Sequence, residues 1–265
     1  MWEIVRQFIP LAVNNVPELP NFIELLNHYF EGEPVLHYLF YWEDIFFSLL
    51  VASVVALTFH LGIRNHKMIP RGLQNFLELV VEKLRKLIHD VLGPKGDEHL
   101  PFLGTLFIYI LSMNLFGLIP FMKSPSTSLS VTLGMAICVF MRVQYLNIKN
   151  MGLGGFFYHM AGEPKDFVGW LLVPLMLPIE LITQISRPAT LALRLFGNIM
   201  GEHILISAIA LFSVGLIAFG EIRLGIPLQT PFMLFALLTS TMQALVFTLL
   251  STVYILLSSP AGEKH

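Results

Sequence analysis

The chain has 265 residues, 55% of them hydrophobic and 13% charged, with a mean hydropathy of +0.71. Soluble domains carry about 25% charged residues, so this composition excludes an ordinary water-soluble globule and indicates a membrane protein. The formal net charge of −2 supplies no basic surface for nucleic acid.

The first 22 residues, MWEIVRQFIPLAVNNVPELPNF, lack the basic n-region, apolar h-region and small-residue cleavage site of a secretory signal. Insertion is therefore expected to use internal spans. Crossing about 30 Å of hydrocarbon takes roughly 20 apolar residues. Uncharged runs of that kind lie at 45–63, at 101–122, and at 124–141 with a weaker continuation to Leu146, and two longer apolar regions follow. All are expected to be helices, because an open strand would leave backbone groups unpaired in lipid. The single Cys138 sits in one of these runs with no disulfide partner and reads as a buried, inert thiol.

Orientation follows from the positive charges flanking the spans. Residues 1–44 contain Arg6 as their only Lys or Arg, whereas Arg64, Lys67, Arg71, Lys83, Arg85, Lys86 and Lys95 follow the first span. This bias places segment 1–44 outside and the next segment in the cytoplasm. Within 71–93, Leu73, Phe76, Leu77, Val80, Val81, Leu84, Leu87, Ile88 and Val91 recur at i, i+3, i+4, i+7 spacing, with charged residues largely opposite. The pattern predicts an amphipathic helix on the cytoplasmic membrane surface.

The region 167–258 holds the longest apolar stretches. Its first part, from Phe167 to Gly220, is expected to be broken at Pro174, Pro178 and Pro188. Pro188 to Gly220 would then form a helix about 50 Å long, and Pro231 to Ser258 one of about 42 Å. Both exceed the bilayer, and a tilted pair joined by a turn near 220–230 is expected. No fixed-period repeat or low-complexity linker divides the chain, which reads as one transmembrane domain, all-α, with about five to six helices.

Arg194 lies inside the oily run LALRLFGNIMGEHIL. An arginine cannot shed its charge, and one at mid-membrane costs from about 3 to more than 10 kcal/mol, so it is normally used or faces water or a partner. Along a helix Asn198 lies four residues on, rotated by about 40°, and Glu202 eight on, rotated by about 80°, so the three share one polar stripe, while His203 points nearly opposite to Arg194. Gly197 and Gly201 between them suggest close approach of another backbone. Glu180, followed by Thr183, Gln184, Ser186 and Arg187, is a second acid in an apolar run, and Gln243, with Ser240 and Thr241, is polar at mid-depth of the last helix.

The run RPATLALRLFGN, with Glu180 fourteen residues before the Arg, Asn198 four after it, adjacent Glu202 and His203, and the late segment MQALVFTLLSTVY, resembles subunit a of the bacterial F-type ATP synthase. The resemblance covers the chain from about residue 40. It implies an ion-translocating stator subunit of the membrane part of the synthase, non-catalytic and without cofactor or metal. Its partners would be the c-ring, subunit b of the stator stalk and the rest of the complex, with lipid around it. Arg194 would face the c-ring carboxylates and separate two half-channels, Asn198, Glu202, His203 and Gln243 would line the outer one, and Glu180, with Ser186, the inner one. The implied setting is a bacterial inner membrane with the N-terminus outside and the C-terminus cytoplasmic; the ion is H⁺ or Na⁺. Two departures bear on the site: relatives often carry the acid nine residues after the Arg, where His203 stands, and Ala236 occupies a second position that is sometimes ionisable. Glu202 and His203 are therefore alternative relays.

A secondary transporter with a mid-membrane Arg/Glu site is the rival reading, but two matching halves with paired broken helices are not visible. An intramembrane enzyme is disfavoured, since H-E-x-x-H and G-x-S-x-G are absent and neighbouring Glu202 and His203 diverge by about 100° on a helix. The remaining histidines, His28, His37, His60, His66, His89, His99 and His159, read as solvated groups at interfaces or in loops.

Overall fold

The computed structural model describes residues 42–64, 70–119, 122–162, 167–216 and 228–258. They form six α-helices: α1 Glu43–Arg64, α2 Leu73–Leu92, α3 Gly96–Phe116, α4 Leu129–Met160, α5 Phe167–Leu216 and α6 Thr230–Leu257, with 3₁₀ turns at Gly93–Lys95 and Pro125–Thr127. The fold is all-α, as the hydropathy requires. Among the described residues, four segments are long and apolar enough to cross a membrane: Glu43–Arg64, Leu73–Phe116, Leu129–Gly152 and Thr230–Leu257. Segment 1–41 and most of the turn at 220–230 lie outside the described residues.

Helix boundaries depart from the apolar runs in informative ways. α3 starts at Gly96, five residues before Pro101, with Asp97 and Glu98 in its first turn, where acids complement the helix dipole. It ends at Phe116, and residues 117–119 form a turn in which the Leu118 and Ile119 amides bond the Leu115 and Phe116 carbonyls. Pro120, three residues on in the sequence, disfavours continuation of the helix to residue 122. α4 starts at Leu129 because Pro125 opens a 3₁₀ turn, and it runs past residue 141 to Gly152, whose φ of 70° and ψ of 168° interrupt the helix. Only glycine takes that backbone conformation without strain.

The three prolines do not break the long helix: α5 is continuous over 50 residues with Pro174, Pro178 and Pro188 inside it. Each proline forfeits one backbone bond, and in membrane helices neighbouring groups absorb that loss. Contrary to the expected buried thiol, Cys138 is exposed on α4, beside exposed Ile137 and near exposed Met141, because an apolar helix in a membrane can turn small apolar groups outward without cost. His99, in contrast to the solvated reading, is only 8% exposed, because helix α3 begins early enough to carry it inward.

The described residues fall into two compact units, whose boundary cuts through α3, α4, α5 and α6. Unit 1 comprises Met1–Arg64, Ile108–Val131 and Phe196–Ala244. Phe47 and Val51 of α1, Met113 of α3, Ile199 of α5 and Ala236 of α6 are buried in it. The ring of Phe47 meets Phe116 at 6.4 Å, and the Ser48 and Tyr109 hydroxyls are 2.6 Å apart. Lys123 Nζ lies 3.4 Å from Glu43 Oε1 and 3.1 Å from Asp44 Oδ1.

Unit 2 comprises Asn65–Phe107, Thr132–Leu195 and Leu245–His265. The amphipathic pattern of α2 buries Leu84 and Ile88 and leaves Leu73, Phe76 and Leu79 exposed. Arg85 grips Asp97 with two hydrogen bonds of 2.8 and 2.6 Å, tying α2 to the start of α3. Leu103, Val139, Leu191 and Phe247 are among its fully buried side chains. The Arg142 guanidinium stands 5.9 Å from the ring centres of both Phe102 and Tyr145, a cation–π arrangement that shields its charge.

Candidate ion-translocation site

In unit 1 the polar residues of α5 and α6 meet. Asn198 and Glu202 are one turn apart on α5, and Thr239, Ser240 and Gln243 occupy positions i, i+1 and i+4 on α6, so each helix presents one polar edge. Asn198 Nδ2 donates to Gln243 Oε1 at 2.6 Å. One turn along, Thr239 Oγ1 donates to Glu202 Oε2 at 2.6 Å and Ser240 Oγ donates to Glu202 Oε1 at 3.2 Å. The Ser240 carbonyl in turn accepts from Asn114 Nδ2 of α3 at 3.3 Å, and Asn114 is wholly buried. Hydrogen bonds between membrane helices of this kind contribute about 0.6–2 kcal/mol each. A carboxylate held by two hydroxyls in an apolar bundle can exchange a cation without leaving its place.

His203 points away from this edge, as a helical rotation of about 100° requires. Its Nε2 is buried, with no hydrogen-bond partner among the described residues. A side chain at Gly117 would begin 2.5 Å from that nitrogen and 2.5 Å from Ser124 Cβ, so the imidazole occupies the space that glycine leaves free. Gln243 is 4% exposed, and its Nε2 also lacks a partner among the described residues.

In unit 2, Glu180 Oε1 accepts from Gln184 Nε2 at 3.3 Å. Ser186 does not join it: its hydroxyl donates to the Thr183 carbonyl of its own helix at 2.9 Å. Arg194, the penultimate α5 residue of this unit, is exposed and makes no hydrogen bond or ion pair with the described residues. Gly197 and Gly201, farther along α5, are exposed, and nothing in the described chain lies within 4 Å of a side chain built there. The close packing expected at these glycines is thus not supplied by the described part of this chain.

Two site residues were not singled out from the sequence. Thr239 is spaced four from Gln243 and could have been found by the helical period, whereas Thr241, two residues on, turns to the Leu237 carbonyl. Asn114 is visible in the sequence only as a polar residue within an apolar run.

The model of the family described as ATP synthase A chain matches residues 45–256. The chain belongs to that family. It is 58% identical over 253 residues to ATP synthase subunit a of Protochlamydia amoebophila, covering 95% of this chain and 93% of the relative. It is 34% identical to ATP synthase subunit a 2 of Syntrophotalea carbinolica, with 81% and 85% covered, and 38% identical to ATP synthase subunit a 1 of Crocosphaera subtropica, with 81% and 89% covered. As a bacterial subunit a, the chain is a multi-pass membrane protein and an ion-translocating stator component of the F-type ATP synthase, within the complex that includes the c-ring.

Proposed function

We propose that Arg194 is the fixed charge that faces the c-ring carboxylates and divides two half-channels. The observation that carries this reading is a guanidinium on an apolar helix that is exposed and without an acid partner among the described residues. The open surface at Gly197 and Gly201 supports close approach of a rotor helix on the same element. A fixed cation about 4 Å from a carboxylate, at an effective dielectric near 20, interacts with it by about 4 kcal/mol, sufficient to displace a bound cation. The same permanent charge opposes direct leakage from one half-channel to the other, so ion flow turns the ring. Each elementary charge crossing contributes about 2.3 kcal/mol per 100 mV.

In this reading Asn198, Glu202, His203 and Gln243 line the outer half-channel, and Glu180 with Ser186 the inner one, within a single transmembrane domain whose 167–258 region translocates the ion. The ion is H⁺ or Na⁺, and subunit b is a further partner. The setting is a bacterial inner membrane, with the N-terminus outside, the C-terminus cytoplasmic and α2 along the cytoplasmic surface. In reconstituted vesicles containing the whole synthase, Arg194→Ala is expected to abolish ion-driven ATP synthesis while the complex still assembles. Synthesis at the parental rate by that variant would refute the role.

A further inference from the structure

Glu180 does not stand alone in unit 2. Glu180, Gln184 and Arg187 follow one another at i, i+4 and i+7 on α5, and Gln144 and Asn147 are at i and i+3 on α4, so each set shares a helix face. The two faces join through an amide ladder. Gln184 Nε2 donates to Glu180 Oε1 at 3.3 Å, Gln144 Nε2 donates to Gln184 Oε1 at 2.7 Å, and Asn147 Nδ2 donates to Gln144 Oε1 at 3.3 Å. Gln144, Asn147, Gln184, Arg187 and Tyr254 form one side of a small pocket of ≈ 20 Å³ in the same unit, whose other walls, Val139, Phe140 and Leu191 among them, are apolar, and the Arg187 guanidinium lies 5.6 Å above the Tyr254 ring.

The ladder has a direction, and Glu180 sets it. An ionised carboxylate only accepts, so the Gln184 amide must turn its NH₂ toward Glu180 and its oxygen toward Gln144. Gln144 must then offer its NH₂ to Gln184 and its oxygen to Asn147. Three amides thereby adopt one orientation, and Gln184, at 9% exposure, has little freedom to adopt another.

The geometry points to Gln184 as a positioning residue that aims the Glu180 carboxylate, with Gln144 and Asn147 holding Gln184 from behind. This rests on the reading of Glu180 as an inner half-channel residue. The ladder adds that release on this side depends on an oriented set of amides and not on the carboxylate alone.

The test uses the assembled synthase in vesicles, comparing ion-driven ATP synthesis for Glu180→Gln, Gln184→Met and the double variant Glu180→Gln/Gln184→Met. Met matches Gln in length but cannot donate, so a role in filling space predicts parental activity for Gln184→Met. The positioning role predicts a fall of about tenfold, the scale of one lost hydrogen bond to a carboxylate. It also predicts that the double variant is no worse than Glu180→Gln. Impaired Glu180→Gln with normal Gln184→Met overturns the positioning role and leaves Glu180 in place; normal Glu180→Gln overturns the underlying channel reading. If Gln184→Met does not assemble, Gln144→Met, which removes the donor to Gln184, carries the comparison, and parental activity there equally overturns the ladder.

Discussion

Asn198 and Gln243 are joined by a 2.6 Å hydrogen bond in which the Asn amide donates to the Gln carbonyl oxygen, linking the polar edge of α5 to that of α6. Their coupling is measurable. Asn198→Ala, Gln243→Ala and the double variant should be non-additive in ion-driven synthesis, with a coupling of about 0.5–1.5 kcal/mol. Strict additivity would mean that the contact does not operate during transport.

Glu202 and His203 occupy separate surroundings, so their variants should separate too. Glu202→Gln keeps the shape but removes the ion-exchanging carboxyl group that accepts from the Thr239 and Ser240 hydroxyls, and should lower synthesis by about tenfold with assembly intact. His203→Ala removes a buried imidazole from beside Gly117 and is assayed alone. Two variants that both synthesise ATP normally would remove both side chains from the pathway.

Gly117→Ala should be harmful out of proportion to its size. The added carbon would lie 2.5 Å from both His203 Nε2 and Ser124 Cβ, so both contacts must be relieved by movement of these groups or of the turn itself. Overpacking of this kind costs about 1–3 kcal/mol. Thermal unfolding of the detergent-solubilised complex should fall in midpoint, and transport should fall with it if His203 is displaced. An unchanged midpoint would mean that the turn after α3 yields easily.

Lys123 holds two acids that differ in exposure: the Glu43 side chain is 6% exposed and that of Asp44 36%. Lys123→Met should therefore destabilise the complex by about 1–3 kcal/mol, because a buried carboxylate loses its cation. Asp44→Asn should have a smaller effect, its charge being better hydrated. Equal effects in a chemical or thermal melt would contradict this ordering.

The Arg194, Asn198 and Glu202 spacing could be read directly from the sequence, since their relation depends only on the helical period. So could the amphipathic α2, whose buried Leu84 and Ile88 follow from its repeat. What stayed hidden depends on other segments. Nothing in residues 198–203 reveals that Thr239 and Ser240 bind Glu202, or that Gly117 makes room for His203. The continuity of α5 through Pro174, Pro178 and Pro188 was likewise illegible, because proline's local cost is fixed while its tolerance is set by the surrounding bundle. The partner of Ser186 was hidden for the opposite reason: a hydroxyl in an apolar helix can satisfy itself on the preceding turn, here on the Thr183 carbonyl.

Cys138 is the one thiol in the sequence and is exposed on α4. It lies inside the apolar span Leu129–Gly152, out of reach of a water-borne maleimide. A cysteine introduced in a loop can therefore be labelled without first removing the native one.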